Sequence, residues 1–272
     1  MNSETNLVYV YDGTIEGFLC CVYESFVRRR VPSVISCARG QTMFFEETEW
    51  IATDIAHSDK VYASLAEKIC PEAQDFIRLS FLTQRADKEI LMYRFICIGY
   101  RVGRKVLDML TDDTVGTLIK AVRNLQREAH LLMGFVRFTI YDGVMVSCIS
   151  PQNSVLPLLS DHFSDRYPEE SFLIYDKTHQ MAVVHKPEGT LLTSMREIAL
   201  PPIEDSEKAY RTLWQCFYQT IAIEARENPK CRLTHMPRRF WHNMTEFDLC
   251  TDQTPVSTEV TGEVPDAVRE FE

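Results

Sequence analysis

The sequence lacks every short motif that would by itself name a reaction. It has no GxxxxGK[ST] loop to cradle a triphosphate, no GxGxxG turn, no HExxH pair and no GxSxG elbow. The HxE and PCxxC pair of zinc deaminases is missing as well. These absences argue against P-loop NTPase, dinucleotide-dependent dehydrogenase, zincin, lipase and deaminase chemistry. No run approaches the roughly 20 apolar residues that span a bilayer. The first six residues offer no basic stretch followed by an apolar one, so no secretory signal is expected. Nine cysteines are present, at Cys20, Cys21, Cys37, Cys70, Cys97, Cys148, Cys216, Cys231 and Cys250, yet no two form a CxxC pair. Most lie in apolar segments. They read as reduced thiols of a cytoplasmic protein, and neither a metal nor a cofactor is expected.

What is present is globular composition, 45% hydrophobic and 11% aromatic, which excludes a disordered or fibrous chain. The formal charge of −10 is misleading. Residues 245–272 hold eight acids and one base, a net of −7, which leaves the body near −3. Overall acidity therefore does not argue against an anionic ligand for the body. Residues 1–249 read as one globular domain, divisible into two packed lobes at about 1–110 and 111–249. Residues 250–272, rich in Thr, Glu, Asp, Pro and Val, read as an acidic, disordered tail.

Periodicity supplies a coarse map. Leu7–Tyr11 is β-prone and Asp12-Gly13 turns it. Thr14 then caps a helix to about Arg29, where Arg28, Arg29 and Arg30 suit the negative end of the helix dipole. Further helices are expected from Ser58, from Pro71, over 87–110, and from Thr111 or Asp112 to about Leu132. The last of these carries Lys120, Arg123, Arg127 and His130 on one face, either as a solvated stripe or as an anion-binding one. After Gly134 the period falls to two. Asp142-Gly143 joins one hairpin, and a second runs through residues 171–185. The fold class expected is α+β: an antiparallel sheet built from two β-hairpins, packed with several amphipathic helices. A last helix over 206–227 would bury Tyr210, Leu213, Trp214, Phe217 and Ile221.

The densest functional signal is residues 226–241. Arg226, Lys230, Arg232, Arg238 and Arg239 face a single acid, Glu227, with His235, Phe240, Trp241 and His242 interleaved. Cations neutralise phosphates and aromatic faces stack on unpaired bases. The competing reading is a C-terminal strap with Trp241 as packing anchor, and both can hold. His130, His162 and Asp176 have the chemistry of general acids and bases if they converge. Each also fits an ordinary structural role.

Four ordered stretches carry a family likeness: YDGTIEGFLCCVYESF at 11–26, HLLMGFVRF at 130–138, SPQNSVLPLLSDHFSDRYPEESFLIYD at 150–176, and LWQCFYQTIAIEARENPKCRLTHMPRRFW at 213–241. Together they resemble a bacterial family of DNA-metabolism proteins. That family is built on a domain of unknown function and encoded beside a radical-SAM, helix-hairpin-helix protein. In longer relatives the domain precedes a uracil-DNA-glycosylase-like domain. The likeness stops with the shared domain, so no uracil chemistry carries over.

The resemblance implies a DNA-metabolism or repair accessory protein that binds DNA or a nucleotide and acts with the radical-SAM partner. Its recurring polar positions fall on Asp12, His130, Arg137, His162, Arg166, Tyr175, Asp176, Arg226, Asn228, Lys230, Arg239 and Trp241. With Arg238, the residues from Arg137 onward, apart from His162 and Asp176, form the expected nucleic-acid surface. Two alternatives stand beside this: a metal-independent enzyme acting on a damaged base or nucleotide, and a protein-binding scaffold.

Overall fold

A computed structural model describes residues 7–37, 47–221, 223 and 228–247. The chain divides into two compact units, Met1–Arg127 and Glu128–Glu272. Arg226 and the acidic tail fall outside the described residues. No helix among those described is long and apolar enough to cross a membrane.

The first unit is organised by β1 (Leu7–Tyr11), whose side chains are almost wholly buried. It pairs in parallel with β2 (Val34–Cys37) on one side and β3 (Glu47–Trp50) on the other. Parallel neighbours require a crossover, and α1 (Ile15–Arg28) supplies the one from β1 to β2. The Thr14 hydroxyl accepts from Gly17 N and starts this helix. Asp12 fixes Thr14 in turn by accepting from its amide and hydroxyl. Gly17 has no room for a side chain, because a Cβ there would lie 2.3 Å from Asp12 Oδ1. The triple arginine does more than meet a dipole. Arg28 pairs with Glu24 and Glu49, Arg30 pairs with Glu47 and Glu49, and Arg29 takes the left-handed cap conformation.

Against the sheet pack α2 (Ile55–Lys68), α3 (Pro71–Phe81) and α4 (Lys88–Val102), around Phe18, Leu65, Ile77, Met92 and Phe95. The α2 cap is Asp54, not Ser58, since the Asp54 carboxylate receives His57 N. The next helix, α5 (Asp113–Phe135), opens on Asp112, whose side chain accepts from Thr114 N and Val115 N.

The second unit contains a five-stranded sheet in chain order: β4 (Thr139–Tyr141), β5 (Val144–Ile149), β6 (Phe172–Asp176), β7 (Met181–Lys186) and β8 (Gly189–Ser194). Asp142 and Gly143 both have positive φ, the geometry of a tight hairpin turn. One face carries Tyr141, Val144, Val146, Leu173 and Tyr175 under Met195, Ile198 and Leu200. Across α6 (Leu156–Arg166) and the sheet runs an aromatic cluster of Phe138, Phe163, Tyr167 and Phe172, on which His185 stacks.

The fold class departs from the expected single antiparallel sheet of two hairpins. The chain holds a three-stranded parallel sheet and a separate five-stranded mixed one. Both hairpins form, but β5 and β6 lie parallel, because the crossover through α6 returns the chain to the end of the sheet where β5 began. The edge strand β8 was not expected at all. The last helix also differs: α7 (Asp205–Thr220) leaves its apolar stripe in solvent.

One buried polar pair in the first unit has a measurable consequence. Tyr11 donates to Glu89 at 3.1 Å inside the core. Burial pushes the Glu89 carboxyl up, against the opposing pull of its own amide, Lys88 and Tyr11. An acid raised on folding adds no cost below its unfolded value, about 4.5, and destabilises as pH climbs through the folded value. Glu89→Gln keeps the acceptor for Tyr11. Thermal unfolding should show this variant more stable than the parent at pH 8, with the gain shrinking toward pH 4.

Candidate nucleic-acid interface

The functional candidates of the second unit are built around two buried carboxylates. Glu128 lies on α5 with its side chain 2% exposed. It accepts from Gln152 N at 2.9 Å, from Asn153 N at 2.8 Å and from Asn153 Nδ2 at 2.7 Å. Arg239 Nη2 stands 3.2 Å away, and Arg239 Nη1 donates to Gln152 Oε1 at 2.6 Å. One carboxylate thus ties the turn after β5 to the C-terminal segment. Glu246 does the same for Arg137, with a bond of 2.5 Å from Nη2 and one of 3.3 Å from Nε. The remaining Arg137 nitrogen donates to the carbonyls of Gly134 and Val136.

Arg137 also lines a cavity of about 160 Å³. Arg137, Arg211, Thr139, Ser147 and His242 give its wall donors and hydroxyls, and Val146, Leu200 and Met244 give it apolar surface. Arg211 reaches it from α7, bonded to Thr139 Oγ1 at 2.5 Å and to Glu207 at 3.1 Å. His242 Nε2 stands 3.3 Å from Ser150 Oγ. Among the described residues no cluster of His, Cys, Asp or Glu could hold a metal ion.

Beside this lies an aromatic column. Trp241 stacks on Phe247 at 4.3 Å, and Phe247 meets Tyr218 of α7 edge-on at 5.8 Å. The indole N–H donates to Met236 O at 3.0 Å, which fixes the ring. Two guanidiniums approach the ring, Arg232 at 5.4 Å and Arg238 at 5.8 Å from its centre. Both are exposed, and neither has a carboxylate partner among the described residues. Arg232 comes from α8 (Pro229–His235), which starts where the Asn228 side chain accepts from Cys231 N. Lys230 is exposed on the same helix.

A family model described as a domain of unknown function, DUF4130, matches residues 86–246, more than half of the chain. The chain belongs to the DUF4130 family. No curated protein and no solved structure matches it. The DUF4130 match begins just before α4 and ends at Glu246, the partner of Arg137. It contains β4 to β8, both carboxylate ties, and Tyr218 and Trp241 of the aromatic column, whose Phe247 lies one residue beyond it. The three-stranded sheet and the stretch 11–26 lie outside it.

Within the DUF4130 segment the expected site residues separate into groups. Arg239 is held by the unexpected Glu128 and Arg137 by the unexpected Glu246, while Arg137 shares the cavity wall with the unexpected Arg211 and with His242. Arg238 and Lys230 stand on the exposed cationic side, and Asn228 is a helix cap. Tyr175 is buried and donates to Arg196 O at 2.9 Å. Arg166 is exposed on α6 and lies over Tyr167 at 5.6 Å.

The acid–base candidates share no hydrogen bond. His130 is exposed on α5, and His162 packs edge-on against Phe163. Asp176 is buried in its own hairpin, accepting from Thr178 N, His179 N and His179 Nδ1. Glu128 was detectable in the sequence. It is a carboxylate at helical spacing with Leu125, Ala129 and Leu132, on the apolar face of α5, where a charge demands partners.

Glu128→Ala would strand two backbone amides and the Arg239 guanidinium. Denaturant unfolding should show a loss of about 3 kcal/mol, the scale for removing one partner of a buried charged pair. Arg239→Ala should cost clearly less, because three donors to Glu128 remain.

Proposed function

We propose that this DUF4130 protein is a nucleic-acid-binding accessory factor of DNA metabolism. On this reading it holds a phosphate backbone on the exposed face of its C-terminal segment. It acts with the radical-SAM, helix-hairpin-helix protein implied by the family likeness. The observation that carries the proposal is the pair of exposed guanidiniums, Arg232 and Arg238, at 5.4 and 5.8 Å from the ring centre of an orientationally fixed Trp241. Guanidiniums without internal carboxylates are free to neutralise phosphates, and an indole edge beside them offers contact to an unpaired base. Lys230 extends the same positive face.

The neighbouring arginines take a different part. Arg239 and Arg137 are held by buried carboxylates, so they shape the surface rather than meet a phosphate. The catalytic alternative has less support, because Asp176 uses both oxygens inside its own turn.

The test is binding of short single- and double-stranded DNA across a salt series. Each phosphate contact contributes roughly 0.7 to 0.9 to the slope of log K against log salt. Arg232→Gln with Arg238→Gln should therefore weaken binding and flatten the slope by about 1.5. Binding that ignores both salt and this double change would overturn the proposal.

A further inference from the structure

The exposed cations beside Trp241 have no carboxylate among the described residues to neutralise them. Arg137, Arg211 and Arg239 are each paired with a glutamate. Lys230, Arg232 and Arg238 are exposed and make no such pair. The chain that follows them is their electrostatic counterpart. Residues 248–272 hold seven acids against one base, Arg269, a net of −6 out of the chain's −10.

The structure fixes where that acidic segment starts. Phe247 stacks on Trp241 with ring centres 4.3 Å apart, and Arg232 and Arg238 stand 5.4 and 5.8 Å from the same indole. Phe247 thus lies within about 10 Å of both guanidiniums, one Debye length at 0.1 M salt. The first of the seven acids, Asp248, follows it directly. A coil of 25 residues has a root-mean-square span of about 25 to 30 Å, enough to bring acids from its whole length to this face. Tethering also holds such a segment at an effective concentration in the millimolar range. A separate acidic protein has to reach that concentration free in solution to compete, so the occupant is assigned to the same chain.

We infer that residues 248–272 dock on the face formed by Lys230, Arg232 and Arg238, and that nucleic acid must displace them to bind there. The docking stands on charge and tether alone, whereas the competition rests on the nucleic-acid reading. Each contact is an exposed ion pair, weak singly and screened by salt. The segment therefore lowers the apparent affinity for a polyanion without abolishing it. For a tethered segment with a millimolar dissociation constant of its own, the expected factor is about threefold to tenfold at low salt.

Carbodiimide cross-linking of the full chain, read by mass spectrometry of the monomeric product, tests the docking without nucleic acid. Carboxylates of 248–272 should couple to Lys230 in preference to the other exposed lysines. Salt at about 0.5 M should abolish that preference. Arg232→Gln with Arg238→Gln should reduce it several-fold with an unchanged circular dichroism spectrum. For the competition, the seven acids are changed to their amides in the full chain. A short single-stranded DNA should then bind tighter by the factor above at low salt. The same DNA should suppress the Lys230 cross-link of the parent as it saturates.

Cross-links spread evenly over the exposed lysines overturn the docking. A neutralised segment that leaves DNA affinity unchanged, or a Lys230 cross-link that persists at saturating DNA, overturns the competition. A Lys230 preference with no DNA binding by either protein upholds the docking and removes the nucleic-acid reading instead. If the double arginine change disturbs folding, the salt series on the parent decides.

Discussion

Glu128 sits on α5 with its carboxylate closed off from water and four donors aimed at it, three from residues 152 and 153 and one from Arg239. A buried charge is tolerable only when its hydrogen-bonding capacity is filled, so each donor is held in place by the cost of leaving that charge unpaired. The consequence reaches both ways along the chain. The turn after β5 is fixed through its backbone amides, and the C-terminal segment is fixed through a guanidinium. Glu246 repeats the device with Arg137, across 109 residues of sequence. The second tie holds Arg137 in the wall of the cavity, and the two together anchor the segment that carries Trp241.

The same constraint gives adjacent arginines opposite parts. Arg239 is drawn inward by Glu128, and Arg238, one residue earlier, is left exposed near the indole. Counting charges along 226–241 cannot separate them, because the distinction is made by a carboxylate more than a hundred positions away. This is also why the net charge of the chain says so little. Two of its acids, Glu128 and Glu246, lie inside the second unit and neutralise arginines that are themselves partly withdrawn. The cations left at the surface are a different set.

What could be read from the sequence was local. Thr14 and Asp112 announce helix starts because a short polar side chain can turn back on the first free amides, and both do so. Asp142-Gly143 announces a hairpin because its two residues accept positive φ. What could not be read was long-range pairing. Nothing in 144–149 or 172–176 says that the two runs will lie parallel, and α6 decides it by returning the chain to the end of the sheet where β5 began. Nor does helical periodicity say what an apolar stripe faces. The spacing of Tyr210, Leu213, Trp214, Phe217 and Ile221 predicts a packed side for α7. Yet α7 is held through Arg211, Gln215 and Tyr218, and the stripe is presented to solvent. Of the site residues, the aromatic and cationic positions of 228–241 were visible as composition. Arg211 and Glu246 were not, because their roles depend on partners in other elements.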